Sequence, residues 1–134
     1  MKLLLDTHIW LWSLLETRHL AKNIVKELEN ESNELWLSPI SVWEALILSE
    51  KGRLELKPSP SEWIHDALRR VPFKEAPITY EIAIQSHKLN LSHQDPADRF
   101  IVATAYIYDL TLITAITADN RLRQSGDFKV LINK

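Results

Sequence analysis

The chain has 134 residues, 46% of them hydrophobic and 25% charged, with two glycines, six prolines and no cysteine. That is the composition of one soluble globular domain able to bury a sizeable core, and it excludes long flexible linkers, disulfides and thiolate zinc sites. The formal charge of −2 gives no overall basic excess for phosphate binding. No apolar run approaches the roughly 20 residues of a membrane helix, so a reducing, cytoplasmic setting without signal peptide or anchor is expected.

In chain order, Lys2 to Leu5 reads as a short buried strand, and Ile9, Trp10, Leu11, Leu14 and Leu15 anchor a helix after it. A second helix is expected over Ala21 to Glu29 and a second strand over Leu35 to Leu37. Ser38-Pro39 then supplies an N-cap and a first-turn proline for a helix to about Glu50, and Lys51-Gly52 supplies its stop. The Pro58 to Glu62 segment repeats that punctuation for a helix ended by Val71-Pro72, followed by a short extended stretch within Phe73 to Ile78. Thr79 opens the helix containing Ile82, Ala83 and Ile84; Asp95-Pro96 opens one reaching about Tyr108. Strands are expected over Leu110 to Ile113 and Phe128 to Ile132. This alternation predicts a layered α/β fold in which helical crossovers connect parallel strands. Of the five tryptophans, Trp10, Trp12, Trp36, Trp43 and Trp63, most are expected in the core.

Four acidic residues stand where apolar segments end or are interrupted: Asp6, Glu44, Asp98 and Asp119. Asp6 follows the first strand, where open parallel sheets place their ligand crevice. Glu44 has Ile40, Ser41, Ile47 and Leu48 at the three- and four-residue helical spacings, so its carboxylate needs a partner or an escape to water. Asp98 is third in its helix and Asp119 precedes Asn120-Arg121-Leu122-Arg123. Each of Asp6, Asp98 and Asp119 has a second reading as a helix cap or first-turn acid, and Asp95 is read as a cap. If the fold gathers the four, their charges repel and raise one another's pKa, which favours a bound hard divalent cation, Mg²⁺ or Mn²⁺. His8 lies near such a pocket, whereas His19, His65, His87 and His93 show no metal-ligand spacing. Arg18, Lys22, Lys26, Arg69, Arg70, Lys74, Arg99, Arg121 and Arg123 are candidates for phosphate contacts or simply solvated charges.

The segments Leu5-Asp6-Thr7-His8-Ile9-Trp10-Leu11-Trp12, Leu37 to Glu44, Asp95 to Ala103 and Leu112-Ile113-Thr114 with Thr117-Ala118-Asp119 together resemble the PIN-domain family. The nearest group is the VapC-type toxin ribonucleases of toxin–antitoxin pairs. The resemblance implies a three-layer α/β/α domain over residues 1–134 with a central parallel sheet. It further implies a Mg²⁺- or Mn²⁺-dependent endoribonuclease site built by Asp6, Glu44, Asp98 and Asp119, an RNA substrate, a small antitoxin partner and a homodimer. Thr7 or Ser41 would help orient the acids. The Ala115-Ile116-Thr117 spacer departs from the family, whose last aspartate usually follows the strand threonine directly. The alternative is a catalytically silent PIN-like module that binds RNA or protein.

Overall fold

A computed structural model describes residues 1–89, 95–115 and 129–133. Five parallel strands, β1 (Lys2–Leu5), β2 (Glu34–Leu37), β3 (Lys74–Glu75), β4 (Thr111–Thr114) and β5 (Lys129–Ile132), form one sheet in the order β3-β2-β1-β4-β5. Helices α1 (Thr7–Leu15) and α2 (Lys22–Glu29) connect β1 to β2; α3 (Pro39–Glu50) and α4 (Pro60–Arg70) connect β2 to β3; α5 (Tyr80–Lys88) and α6 (Pro96–Tyr108) connect β3 to β4. The chain therefore builds outward from β1 on one side, then crosses back past β1 to continue on the other. That reversal opens a crevice between the carboxyl ends of β1 and β4.

Alternation along the strands divides the core in two. Leu3, Leu5, Leu37 and Ile113 pack with Ile9, Trp10, Leu11, Leu20, Ile24, Ala45, Ile64 and Ala67 of the α1–α4 side. Leu4 and Leu112 pack with Ile101, Val102 and Ala105 of α6 on the opposite side. The register Leu4↔Leu112 and Leu5↔Ile113 aligns like-facing residues of β1 and β4, as a period of two requires. Both faces are covered, which explains why β1 and β4 read as unbroken apolar runs.

The helix starts follow the side-chain caps. Ser38, Ser59, Thr79 and Asp95 accept hydrogen bonds from Ile40 N, Glu62 N, Ile82 N and Ala97 N, with proline in the first turn of α3, α4 and α6. α3 ends with Gly52 at φ 74°, where Gly52 N donates to Ser49 O and Arg53 N to Leu48 O, a left-handed closure that glycine enters without a Cβ penalty. α6 closes the same way on a non-glycine residue. Asp109 takes φ 55° and its carboxylate pairs with Lys129 at 3.2 Å, which is tolerated because aspartate is among the few L residues that visit this region. Two expectations shift. α1 starts at Thr7, two residues earlier than the apolar anchors suggest, because Asp6 caps it. Of the tryptophans only Trp10 is fully buried, and Trp43 on α3 is 53% exposed.

Asn133, buried beyond β5, fastens this architecture at its open end: its backbone N donates to Thr114 O, its Oδ1 accepts from Ala21 N at 2.5 Å, and its Nδ2 donates to His19 O at 2.8 Å. Ala21 has no cap of its own making, so Asn133 supplies the acceptor for the start of α2. Replacing Asn133 by alanine strands both groups, at a cost of about 1–3 kcal/mol. A thermal melt of Asn133→Ala should fall by several degrees; an unchanged midpoint would show the clamp to be dispensable.

Candidate active site

Asp6 leaves β1 with extended backbone, φ −62° and ψ 156°, and continues its pairing, since Asp6 N donates to Ile113 O at 2.9 Å. The strand alternation therefore carries on through Asp6 and its neighbour Thr114. Asp6 falls on the side of Leu4, and Thr114 on the side of Leu112, facing the layer that α6 covers. The carboxylate is 5% exposed and accepts two hydrogen bonds, from Thr7 N to Oδ1 at 2.7 Å and from Thr114 Oγ1 to Oδ2 at 2.8 Å. The capping and functional readings of Asp6 thus coincide in one side chain. Burial pushes its pKa up, opposed by the hydrogen bonds from Thr114 and Thr7 and by the charge of His8.

Glu44 reaches the same place from α3. Its half-buried carboxylate accepts from the Thr7 hydroxyl, and Ser41 Oγ lies 3.0 Å from Thr7 Oγ1. Thr7 has one hydroxyl proton. The carboxylate takes it, so Ser41 is the donor in the second contact. This Ser41–Thr7–Glu44 chain holds the glutamate against the start of α1. Burial is the main cause of its raised pKa, with Asp6 and Asp95 adding to it.

Asp98 stands in the first turn of α6, two residues past Pro96. Its pKa is pushed up to about 7, first by burial and then by the charges of Asp6, Asp95 and Glu44. The fold therefore gathers Asp6, Glu44 and Asp98 into one acidic cluster. Asp95, read from sequence as a cap, does cap α6 through Oδ1, and its charge also acts on all three acids. That second role was missed, although its place one turn before Asp98 foreshadowed it. Thr114, noted in the sequence only as a strand end, was the other omission; a hydroxyl closing an apolar strand beside a predicted acid was the available signal. Asp119, Arg121, Arg123 and His93 lie outside the described residues.

The donor set is all oxygen, which suits a hard cation. Among the described residues no three carboxylate or imidazole groups close into a ready-made metal cage. An open set is nonetheless what Mg²⁺ takes, since that ion keeps several waters and binds through one or two carboxylates. A bound cation would also offset the burial and the neighbouring acidic charges that raise these pKa values. The candidate phosphate-binding bases are largely engaged elsewhere: Arg18 with Glu16, Arg69 and Arg70 with Asp66, Lys74 with Glu34, and Arg99 with the carbonyls of His87 and Leu89. A cavity of about 250 Å³ between α1, α2 and the sheet is lined by Leu14, Leu20, Val25, Leu28 and Phe73 among others. None of the clustered acids lines it, and its apolar wall carries no chemistry.

The PIN domain family model matches residues 3–127 of the chain. Ribonuclease VapC22 from Mycobacterium tuberculosis is 32% identical over 121 residues, covering 90% of this chain and 88% of that protein. Among solved structures, VapBC2 from Rickettsia felis bound to a promoter DNA fragment aligns over all of both chains with a TM-score of 0.74 at 14% identity. DNA-bound VapBC from Salmonella typhimurium aligns over 98% of both with a TM-score of 0.66 at 17% identity. These two likenesses establish the three-layer fold.

The raised pKa values set the sign of a pH effect. A carboxyl whose folded pKa exceeds its unfolded value binds more protons when folded, so its contribution to stability is present at low pH and lost as pH rises through the folded value. For Asp98 the window runs from its ordinary 3.8 to about 7; Asp6 and Glu44 act in the same direction. With chelator present, the melting temperature should fall between pH 5 and pH 8 on the order of these titrations, and Asp98→Asn should flatten that fall. A variant with the parent's slope would dismiss Asp98 as its source.

Proposed function

The chain belongs to the PIN-domain family, and from that premise we propose that it is a divalent-metal-dependent endoribonuclease acting as the toxin of a type II toxin–antitoxin pair. The observation that carries the chemistry is the acidic cluster at the sheet's reversal point, where burial raises the pKa of Asp6, Glu44 and Asp98 and neighbouring acids, Asp95 among them, raise each further. A 32% identical relative named as a ribonuclease supports the reaction class. The VapBC structures among its fold neighbours support an antitoxin partner. No described helix is long and apolar enough to cross a membrane; the proposed place of action is the cytoplasm, on RNA.

Asp6 and Asp98 are the proposed primary ligands of Mg²⁺ or Mn²⁺, with Glu44 and Asp119 as further ligands or water-positioning groups. When bound, the cation lowers the pKa of its water and stabilises the charge that develops on phosphate and leaving oxygen. The chain's own groups supply orientation. Thr7 N and the Thr114 hydroxyl hold the two oxygens of Asp6 in place. Thr7 occupies Glu44 Oε1, which leaves Oε2 to position the attacking water in line with the scissile bond. No protein nucleophile is required, consistent with the absence of cysteine. The antitoxin would silence the site by presenting a basic side chain, because an arginine pairs with carboxylates in a bidentate geometry and competes with the cation. A homodimer is the proposed assembly.

Purified protein should cut transfer RNA or another folded RNA with Mn²⁺ or Mg²⁺ and not with chelator. Asp6→Asn and Asp98→Asn should lose at least about a hundredfold in cleavage, on the scale that removal of a key electrostatic group costs an enzyme. Both should match or exceed the parent's melting temperature in chelator, since a repelling charge has gone. At free Mn²⁺ about a hundredfold above its dissociation constant the parent gains roughly 2.7 kcal/mol and the variants much less. Asp95→Asn, which still caps α6, should keep most of the cleavage and of the metal response. Absence of any metal-dependent product across several RNA classes, from folded protein, would replace this reading with the silent binding module. Co-expression with the product of the adjacent reading frame should yield a complex with suppressed cleavage; a stable complex that cuts at full rate would sink the pocket-blocking role.

A further inference from the structure

α1 carries more than the Asp6 cap. His8 is exposed in its first turn, and Trp12, one turn further on, is half-buried. Their rings lie 5.7 Å apart between centroids, and Trp12 in turn meets His19 of the short 3-10 turn Thr17–His19 at 5.2 Å with a tilt of 30°. The His19 side chain is 45% exposed, and Glu16 Oε2 steadies it at 2.5 Å from Nε2. Three aromatic rings thus form a row on the surface. One end of that row lies beside the acids, because His8 stands in the first turn of the helix that Asp6 caps. The far end carries Arg18, 79% exposed and only loosely paired with Glu16 at 3.6 Å.

The usual fate of an aromatic at helical spacing is core packing, and Trp12 does rest one side on the α1–α4 core. That does not account for His8 and His19, which are exposed polar rings lined up with it. Unpaired nucleobases are the ligand such a row suits. Every base presents a π-face, stacking on aromatic side chains is worth about 1–3 kcal/mol per base, and it tolerates any sequence. Six residues of helix from Asp6 to Trp12 span about 9 Å, so a base resting on Trp12 belongs to a nucleotide close to the phosphate held at the acids.

We propose that His8, Trp12 and His19 form a stacking platform for unpaired bases beside the acidic cluster. The inference deepens the ribonuclease reading and rests on it for the identity of the ligand. Recognition is thereby divided: the acids act on the backbone, which carries no sequence, and the platform selects for unstacked bases.

The test is binding in chelator, where cutting cannot intervene. Fluorescence anisotropy would follow a labelled single-stranded oligoribonucleotide, the same strand with abasic residues, and the same strand annealed to its complement. Trp12→Leu should weaken binding of the intact strand about tenfold, equivalent to about 1.4 kcal/mol. His8→Ala and His19→Ala, at exposed positions that leave the core untouched, should each weaken it several-fold. The abasic strand and the duplex should bind the parent more weakly and respond little to these substitutions. His65→Ala, on the exposed face of α4, serves as the unaffected control. Equal binding of intact and abasic strands by the parent, or parent-like binding by both histidine variants, would overturn the platform. Base-dependent binding combined with a complete lack of metal-dependent cleavage would uphold the platform and count against the ribonuclease reading alone.

Discussion

The Asp6 carboxylate is the point on which the rest of the molecule turns. An isolated charge removed from water costs several kcal/mol unless hydrogen bonds or an opposite charge offset it, and Asp6 is 5% exposed. Its two donors come from different elements, the first turn of α1 and the last residue of β4. They converge only if β1 and β4 pair in the observed register. A slip of one residue would turn Thr114 to the opposite face and offer an alkyl side chain in its place. The register is in turn held by Leu3, Leu4, Leu5, Leu112 and Ile113, each almost wholly buried. Core packing thus dictates where the charged site forms, and the site adds a reason for the register to be unique.

The remaining acids arrive on elements whose starting points are just as tightly fixed. Ser38-Pro39 sets the phase of α3, which decides that Glu44 follows Ser41 onto the face meeting Thr7. Asp95-Pro96 sets the phase of α6 and places Asp98 in its first turn, where the helix dipole favours negative charge. The dipole does not offset the burial and neighbouring acids that push the pKa of Asp98 up. Arg69, Arg70, Lys74 and Lys129 are committed to exposed pairs with Asp66, Glu34 and Asp109, and such pairs contribute little to stability. Among the described residues, the charge of His8 acts to lower the pKa of Asp6 and Glu44. A cluster of buried acids whose pKa values are raised is expected where function requires an external cation.

Much of this was legible because capping chemistry is local. The starts of α3, α4, α5 and α6 coincide with Ser38, Ser59, Thr79 and Asp95, and the end of α3 with Gly52, since each signal depends only on a few neighbouring residues. Parallel topology followed from alternation, and the gathering of Asp6, Glu44 and Asp98 from their positions at the ends of apolar segments. What escaped the sequence depends on three-dimensional juxtaposition. The bond from Thr114 to Asp6 spans 108 positions, and no periodicity announces it. The second role of Asp95 is a field effect at a distance. β3 shrinks to Lys74–Glu75 because an edge strand is defined by what its neighbour offers rather than by its own side chains. Trp43 faces outward on α3 although its size suggested the core, because Ser41 and Ala45 already occupy the fully buried stripe of that helix.

The same helix that begins with the buried acid also sets the geometry of approach. A phosphodiester nearing Asp6, Glu44 and Asp98 meets like charge, so the acids alone repel the group on which they would act. Binding energy must then come from the cation and from parts of the substrate away from the reacting phosphate, which is where enzymes generally draw it. A row of rings beginning two residues after Asp6 supplies such energy through bases rather than charge. Because α1 is capped at Asp6 and packed through Ile9, Trp10 and Leu11, all nearly or fully buried, ring and carboxylate share one rigid frame. A strand resting on the rings would therefore reach the acids in a fixed orientation, which is the condition for positioning to lower a barrier.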